Sequence, residues 1–179
     1  MLNMNVSHLT VDPVTHMPLL ILQDAAGIEA VPIWIGSAEA AAIASQLENV
    51  EMERPVAHDL MKNLIGQCGL RVERVEVRDL KGSTFYASII LERQPGELIE
   101  LDARPSDAIA LALRTGASIA VAPRVVEKTR KLGRSLARQS LKARRRSEPA
   151  DDEYTDTVAP LPPDLLDQLR DEDFGKWKM

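Results

Sequence analysis

Apolar and polar positions change period several times along this chain, and each change marks an element. Met4–Val11 alternates well enough for a strand with one face inward. Two short apolar runs follow, Pro18–Gln23 (PLLILQ) and Ile28–Ile35 (IEAVPIWI), separated by the turn DAAG. Pro32 has no N–H to give a ladder, so the second run is expected at a sheet edge or a bulge. The period then becomes helical. Ser37 is the expected cap of a helix over Ala38 to Val50, with Ile43 and Leu47 on one face. Arg54-Pro55 breaks the chain, and Pro55 to Cys68 reads as a second helix with Leu60, Leu64 and Ile65 inward.

Leu70–Leu80 (LRVERVEVRDL) sets Val72, Val75 and Val77 inward, a spacing that implies one bulge or a register change. Turns at Lys81-Gly82-Ser83 and Gln94-Pro95-Gly96 link it to Thr84–Arg93 and Glu97–Leu101, a three-stranded antiparallel meander. A helix from Pro105 to about Thr115, closed by Gly116, and a strand Ser118–Ala122 follow. The expected class is α+β: an antiparallel sheet packed with three helices at residues 1–122. A basic helical segment (123–146) and an acidic, Pro-containing tail (147–179) extend it. The tail has room for one short helix, Leu165–Arg170, capped by Asp164.

Composition narrows the partners. Apolar residues make up 45% of the chain, enough for a core, but aromatics only 3%, so that core is aliphatic and a base-stacking surface is not expected. A single cysteine, Cys68, rules out an internal disulfide and a Cys-based zinc site, and suits a reducing cytoplasm. Cys68 itself is expected buried and inert. The N-terminus lacks the pattern of a signal peptide, and no apolar stretch is long enough for a membrane span. Residues 124–146 hold ten Lys or Arg against one Glu, and residues 148–173 ten Asp or Glu against one Arg. These blocks cancel. The face shared by Arg124, Lys128, Lys131, Arg138, Lys142 and Arg145 is a candidate phosphate-backbone surface. Its plainer reading is a solvated helix that folds against the acidic tail.

Leu101–Ala122 (LDARPSDAIALALRTGASIAVA) sets Asp102, Arg104, Ser106 and Asp107 together at the mouth of an apolar helix. Pro105 suits the first helical position, which puts Arg104 at the cap, where it is a poor capping residue and free to point elsewhere. Ser106 and Asp107 fall in the first turn, and Asp107 can bond back to the cap. Capping explains Asp107 on its own. It accounts less well for Asp102 and Arg104 at a strand–helix junction, where ligand-binding groups commonly sit. Asp102 and Asp107, with Glu39 as a further carboxylate, are candidate ligands for Mg²⁺ or Mn²⁺. Arg104 would hold a phosphate, and His58 would act as base or acid near neutral pH. Arg54, held extended before Pro55, could pair with Asp102 or Asp107 or hold a phosphate. The bland alternatives are a packed His58 and a Glu39 that serves only the helix dipole.

These motifs carry a resemblance. RPSDAIALA after Leu101-Asp102-Ala103, VPIWIGSAEAAAI at 31–43, RPVAHDLM at 54–61 and GSTFYASIIL at 82–91 resemble the bifunctional nuclease (BFN) domain family over roughly residues 1–125. The ending DEDFGKWKM resembles that of some members, but the charged tail does not resemble the UVR-type module that others add. The resemblance implies a compact α+β fold and DNase and RNase activity, with nucleic acid as partner. It assigns no catalytic residue. Two other readings stand beside it: a non-catalytic nucleic-acid-binding or regulatory module, and a structural homo-oligomer with no substrate. A homodimer is expected, because the apolar strands at 18–23 and 28–35 leave edges that need cover.

Overall fold

The computed structural model describes residues 1–12 and 15–131. Its strands are β1 (Leu2–Val11), β2 (Pro18–Asp24), β3 (Ala30–Trp34), β4 (Arg71–Lys81), β5 (Thr84–Glu92), β6 (Leu98–Ala103) and β7 (Ser118–Val121). Its helices are α1 (Ser37–Leu47), α2 (Ala57–Gln67) and α3 (Pro105–Thr115), and residues 123–131 are also helical. The fold is α+β. The meander β4–β5–β6 forms as expected, but it does not stand alone. All the strands join one seven-stranded sheet in the order β3-β2-β1-β7-β4-β5-β6. From β6 at one edge, the chain packs α3 on β5 and β4, then returns as β7 between β1 and β4, parallel to β4. This crossover fuses two antiparallel halves into one mixed sheet.

Register assigns the faces. Val75 pairs with Ile89 and Ile119, Val77 with Ala87 and Val121, and Met4 with Ile119, so these side chains share one face. Leu20 and Leu22 continue it across to Ile33 and Val31. On this face α3 buries Ala108, Ile109, Ala110, Leu111 and Ala112. Five consecutive buried residues go round the helix, so α3 is covered by the sheet on one side and by α1 and α2 on the other. The opposite face of β4–β6 is polar. There Arg74 and Arg78 flank Glu76, and Ser88 donates to Glu100, which also pairs with Arg78. Strand β4 carries two register shifts, at Val72/Arg74 and Val77/Asp79, rather than one. Pro32 does lie on an edge strand, β3, where its missing N–H costs no ladder bond.

Several expectations need correction. The N-cap of α1 is Gly36, and Ser37 is its first helical residue. On α2, Leu60 and Leu64 point outward, 63% and 62% exposed, and only Ile65 of the expected trio packs against the core. The buried residue of α2 is His58. The inward side of α2 thus runs through His58 and Ile65, and Asp59 beside them is tied to Arg114. Cys68 is exposed at the C-cap of α2. The core continues past Ala122, because Val125 and Val126 are buried in it. Residues 132–179, which hold part of the basic segment and the whole acidic tail, lie outside the described residues. The expected helix at Leu165–Arg170 falls there. Among the described residues, no helix is long and apolar enough to cross a membrane.

Ile109 is fully buried between sheet and helices. Ile109→Ala is expected to cost about 2–5 kcal/mol, through lost transfer energy plus a residual cavity. Urea unfolding with an unchanged m-value checks this.

Candidate functional site

The starts of all three helices meet, and one side chain explains why. Arg114, near the C-terminal end of α3, is 3% exposed along its side chain. Its Nε donates to Asp59 Oδ1 at 2.7 Å, and its Nη1 to the carbonyls of Ala42 and Ala110, both at 3.0 Å. Its Nη2 reaches Ser45 Oγ at 3.4 Å. One guanidinium thus joins α3 to α1 and α2. Asp59 also accepts from the Val56 N–H at 3.1 Å, which fixes the first turn of α2. Burial alone would push the Asp59 carboxyl up. The hydrogen bonds from Arg114 and Val56, with the charges of Arg114 and Lys62, hold it below the usual aspartate range instead.

Around this clamp, four polar side chains form a chain of contacts. His58 Nε2 lies 3.4 Å from Asp107 Oδ1. Arg104 forks onto Asp107, with Nε to Oδ2 at 2.7 Å and Nη2 to Oδ1 at 3.2 Å. Arg104 Nη1 reaches Glu39 Oε1 at 2.7 Å. Burial raises the Asp107 pKa, but Arg104 and His58 outweigh it, so the carboxyl stays below its ordinary value. Asp107 and Glu39 together raise the Arg104 pKa above its ordinary value. Asp107 therefore binds side chains and does not close a capping box, and no side chain caps α3.

The cluster borders a cavity of about 550 Å³. Its walls come from α1 (Ala38, Ala41, Ala42), α2 (Ala57, Met61) and the segment between them (Met52, Val56). Glu39, His58, Arg104 and Asp107 supply its polar side. Each belongs to the first turn or cap of its helix, so three positive helix ends face one volume. Gly36 leaves room for the Glu39 carboxylate here. A Cβ on it would lie 2.3 Å from Glu39 Oε2, so any side chain would push Glu39 out of its place beside Arg104.

Comparison with known proteins places this arrangement. The bifunctional nuclease domain family matches residues 20–132, a span that holds every residue of the cluster. This chain belongs to that family. Two uncharacterized proteins of Mycobacterium tuberculosis strains are each 45% identical over 106 residues, 59% of this chain and 62% of theirs. "Bifunctional nuclease 1" of Arabidopsis thaliana is 26% identical over 98 residues, 54% of this chain and 30% of that protein. "Bifunctional nuclease 2" of Oryza sativa subsp. japonica is 28% identical over 107 residues, 58% of this chain and 33% of that protein. The match thus spans about three fifths of the mycobacterial relatives and a third of these plant proteins.

Within this bifunctional nuclease domain, the expected site residues separate. Glu39, His58, Arg104 and Asp107 come together. Asp102 does not, because on β6 it pairs in register with Ser88 of β5 and so sits on the sheet face opposite the helices. The period of two, invisible in the local sequence, sends it there. Arg54 is exposed and makes no ion pair among the described residues. Lys128 is a fastening rather than a free phosphate contact, since its ammonium holds Asp79 Oδ1 at 2.7 Å and the Leu80 carbonyl at 2.9 Å. Lys131 lines a separate hollow with Leu80 and Lys81. Arg138, Lys142 and Arg145 lie outside the described residues. The carboxylates do not fit the expected Mg²⁺ or Mn²⁺. Glu39 and Asp107 already share the Arg104 guanidinium, which stands where a cation would bind. Among the described residues, no three His, Cys, Asp or Glu side chains group to hold a metal.

The sequence does not single out Arg114. Its only signal is one cation in the apolar run AIALALRTG. Arg114→Met is expected to destabilise the fold by about 3 kcal/mol, because Asp59 and two carbonyls lose a buried partner. The Asp59 contribution is present above the ordinary aspartate pKa and lost as pH falls through the lower folded value. Wild-type stability should therefore drop more steeply than that of Arg114→Met below pH about 4, measured by urea midpoints across pH.

Proposed function

We propose that this domain is a nuclease that hydrolyses phosphodiester bonds of DNA and RNA with little sequence preference. The observation that carries the reading is the His58–Asp107–Arg104 chain at a cavity faced by three helix N-termini. Asp107 accepts from His58 Nε2 and so favours the tautomer with Nδ1 as the basic nitrogen. Nδ1 then takes a proton from the attacking nucleophile. For hydrolysis of both polymers that nucleophile is water, since DNA lacks a 2′-hydroxyl; its oxygen bonds to phosphorus as the P–O bond to the adjoining sugar breaks, and the departing sugar oxygen takes up a proton from solvent. Arg104, with the helix ends behind it, offsets the negative charge that builds on the phosphate oxygens. The membership in the family and the names of the plant relatives support the same reading.

The test is cleavage of single-stranded and duplex DNA and of RNA by rigorously purified protein, with Mg²⁺ and with EDTA. His58→Ala and Asp107→Asn are each expected to lower kcat by about 10²- to 10⁴-fold, the usual scale for a general base and its orienting partner. Asp102→Asn, on the far sheet face, should change it by less than about twofold at the level of ordinary surface substitutions. Activity that survives in His58→Ala, or that vanishes from wild type on purification while salt-sensitive binding persists, sinks the catalytic reading in favour of a binding module.

A further inference from the structure

A second cavity, of about 270 Å³, lies on the other side of the Arg104–Glu39 pair. Both residues line both cavities, so their ion pair is the partition between them. The smaller space is enclosed by the end of β3, the β4–β5 turn (Ser83, Thr84) and the start of α3. Resting on the phosphodiester reading above, we propose that it is a phosphate subsite for the nucleotide next to the scissile one. Ser106 is its hydroxyl donor and Glu39 is its displaceable gate.

Three observations carry this. Ser106 is 6% exposed, yet its hydroxyl makes no hydrogen bond with the described residues and is not sealed from solvent. A buried hydroxyl is ordinarily satisfied, so one left open beside a cavity is set for something that enters it. Next, no side chain caps α3. The N–H groups of Ser106 and Asp107 have no partner within the helix, and together with the helix dipole they favour an anion at that end. Finally, Arg104 faces both spaces with a planar donor fork, suited to a phosphate on either side once Glu39 lets go. Glu39 is the built-in competitor. Its carboxylate takes the guanidinium in the empty site, and a phosphate must displace it. A strand interior, with phosphates on both sides of a nucleoside, would then bind better than a lone phosphodiester.

Competition against a fluorescein-labelled oligothymidylate tests the subsite, read throughout in the His58→Ala background so that neither probe nor competitor is cut. The competitors are the dinucleotide TpT and the same molecule with a terminal phosphate at its 5′ or its 3′ end. One of the two terminal phosphates is expected to tighten binding about tenfold, the scale of a hydrogen bond to a charged group. Ser106→Ala should remove most of that gain and leave the affinity for TpT. Glu39→Gln should enlarge the gain by about threefold, as an exposed ion pair is removed. Thermal midpoints report whether each variant is folded. If Ser106→Ala does not fold, Glu39→Gln decides, since it must favour the phosphorylated ligand over TpT. No gain from either phosphate, or a gain that survives in folded Ser106→Ala, overturns the subsite. A gain from a domain whose wild-type form cuts no substrate overturns the hydrolytic reading and keeps the subsite.

Discussion

A buried guanidinium organises the helical side of this domain. Arg114 has almost no contact with water, so each of its donors must be met by protein. Those needs are met by α1 through Ala42 and Ser45, by α2 through Asp59, and by its own helix through Ala110. A hydrophobic contact tolerates sliding. A forked set of hydrogen bonds to three helices does not. Because α2 is oriented by Asp59, its leucines can face solvent and His58 can be the residue it buries. The clamp sets the first turns of the helices around one cavity.

The cluster at that cavity is a balance of charge rather than a vacant socket. Two carboxylates share one guanidinium, and a histidine completes the chain of contacts. Arg104 is more than half exposed, so its ion pairs are weak enough to exchange. An incoming phosphate competes with carboxylates of similar shape for the same fork. Binding there is an exchange of anions. The same geometry explains why a glycine precedes α1, since Glu39 folds back over Gly36 to reach Arg104.

The rest of the fold holds this arrangement still. The return of β7 between β1 and β4 makes the sheet continuous, and α3 packs on β4 and β5. The helix of residues 123–131 ties the far end. Arg124 donates to the Arg78 carbonyl, Lys128 to Asp79, and Arg130 to Glu29 in the β2–β3 connection. Hydrogen bonds from Lys128 and the Leu80 N–H, followed by lesser charge effects, keep Asp79 below its ordinary pKa. Cations that read as a nucleic-acid surface in sequence are here, in part, fasteners of the domain.

Local signals sufficed for most elements. The alternation in β1 and β4, the apolar runs of β2 and β3, Pro105 at a helix start and Gly116 at its end all act over a few residues, and they placed strands and helices within a few positions. The same signals marked His58, Arg104 and Asp107 as helix-start residues able to do chemistry. Which of them meet depended on contacts between residues far apart in sequence. Asp102 and Asp107 are five positions apart, yet a strand register sends one to the opposite sheet face. His58 and Asp107 are separated by 49 positions and touch. Hydrophobic period fixes how a segment folds on itself. Sheet order and one buried cation fix which segments are neighbours, and no window of sequence contains either.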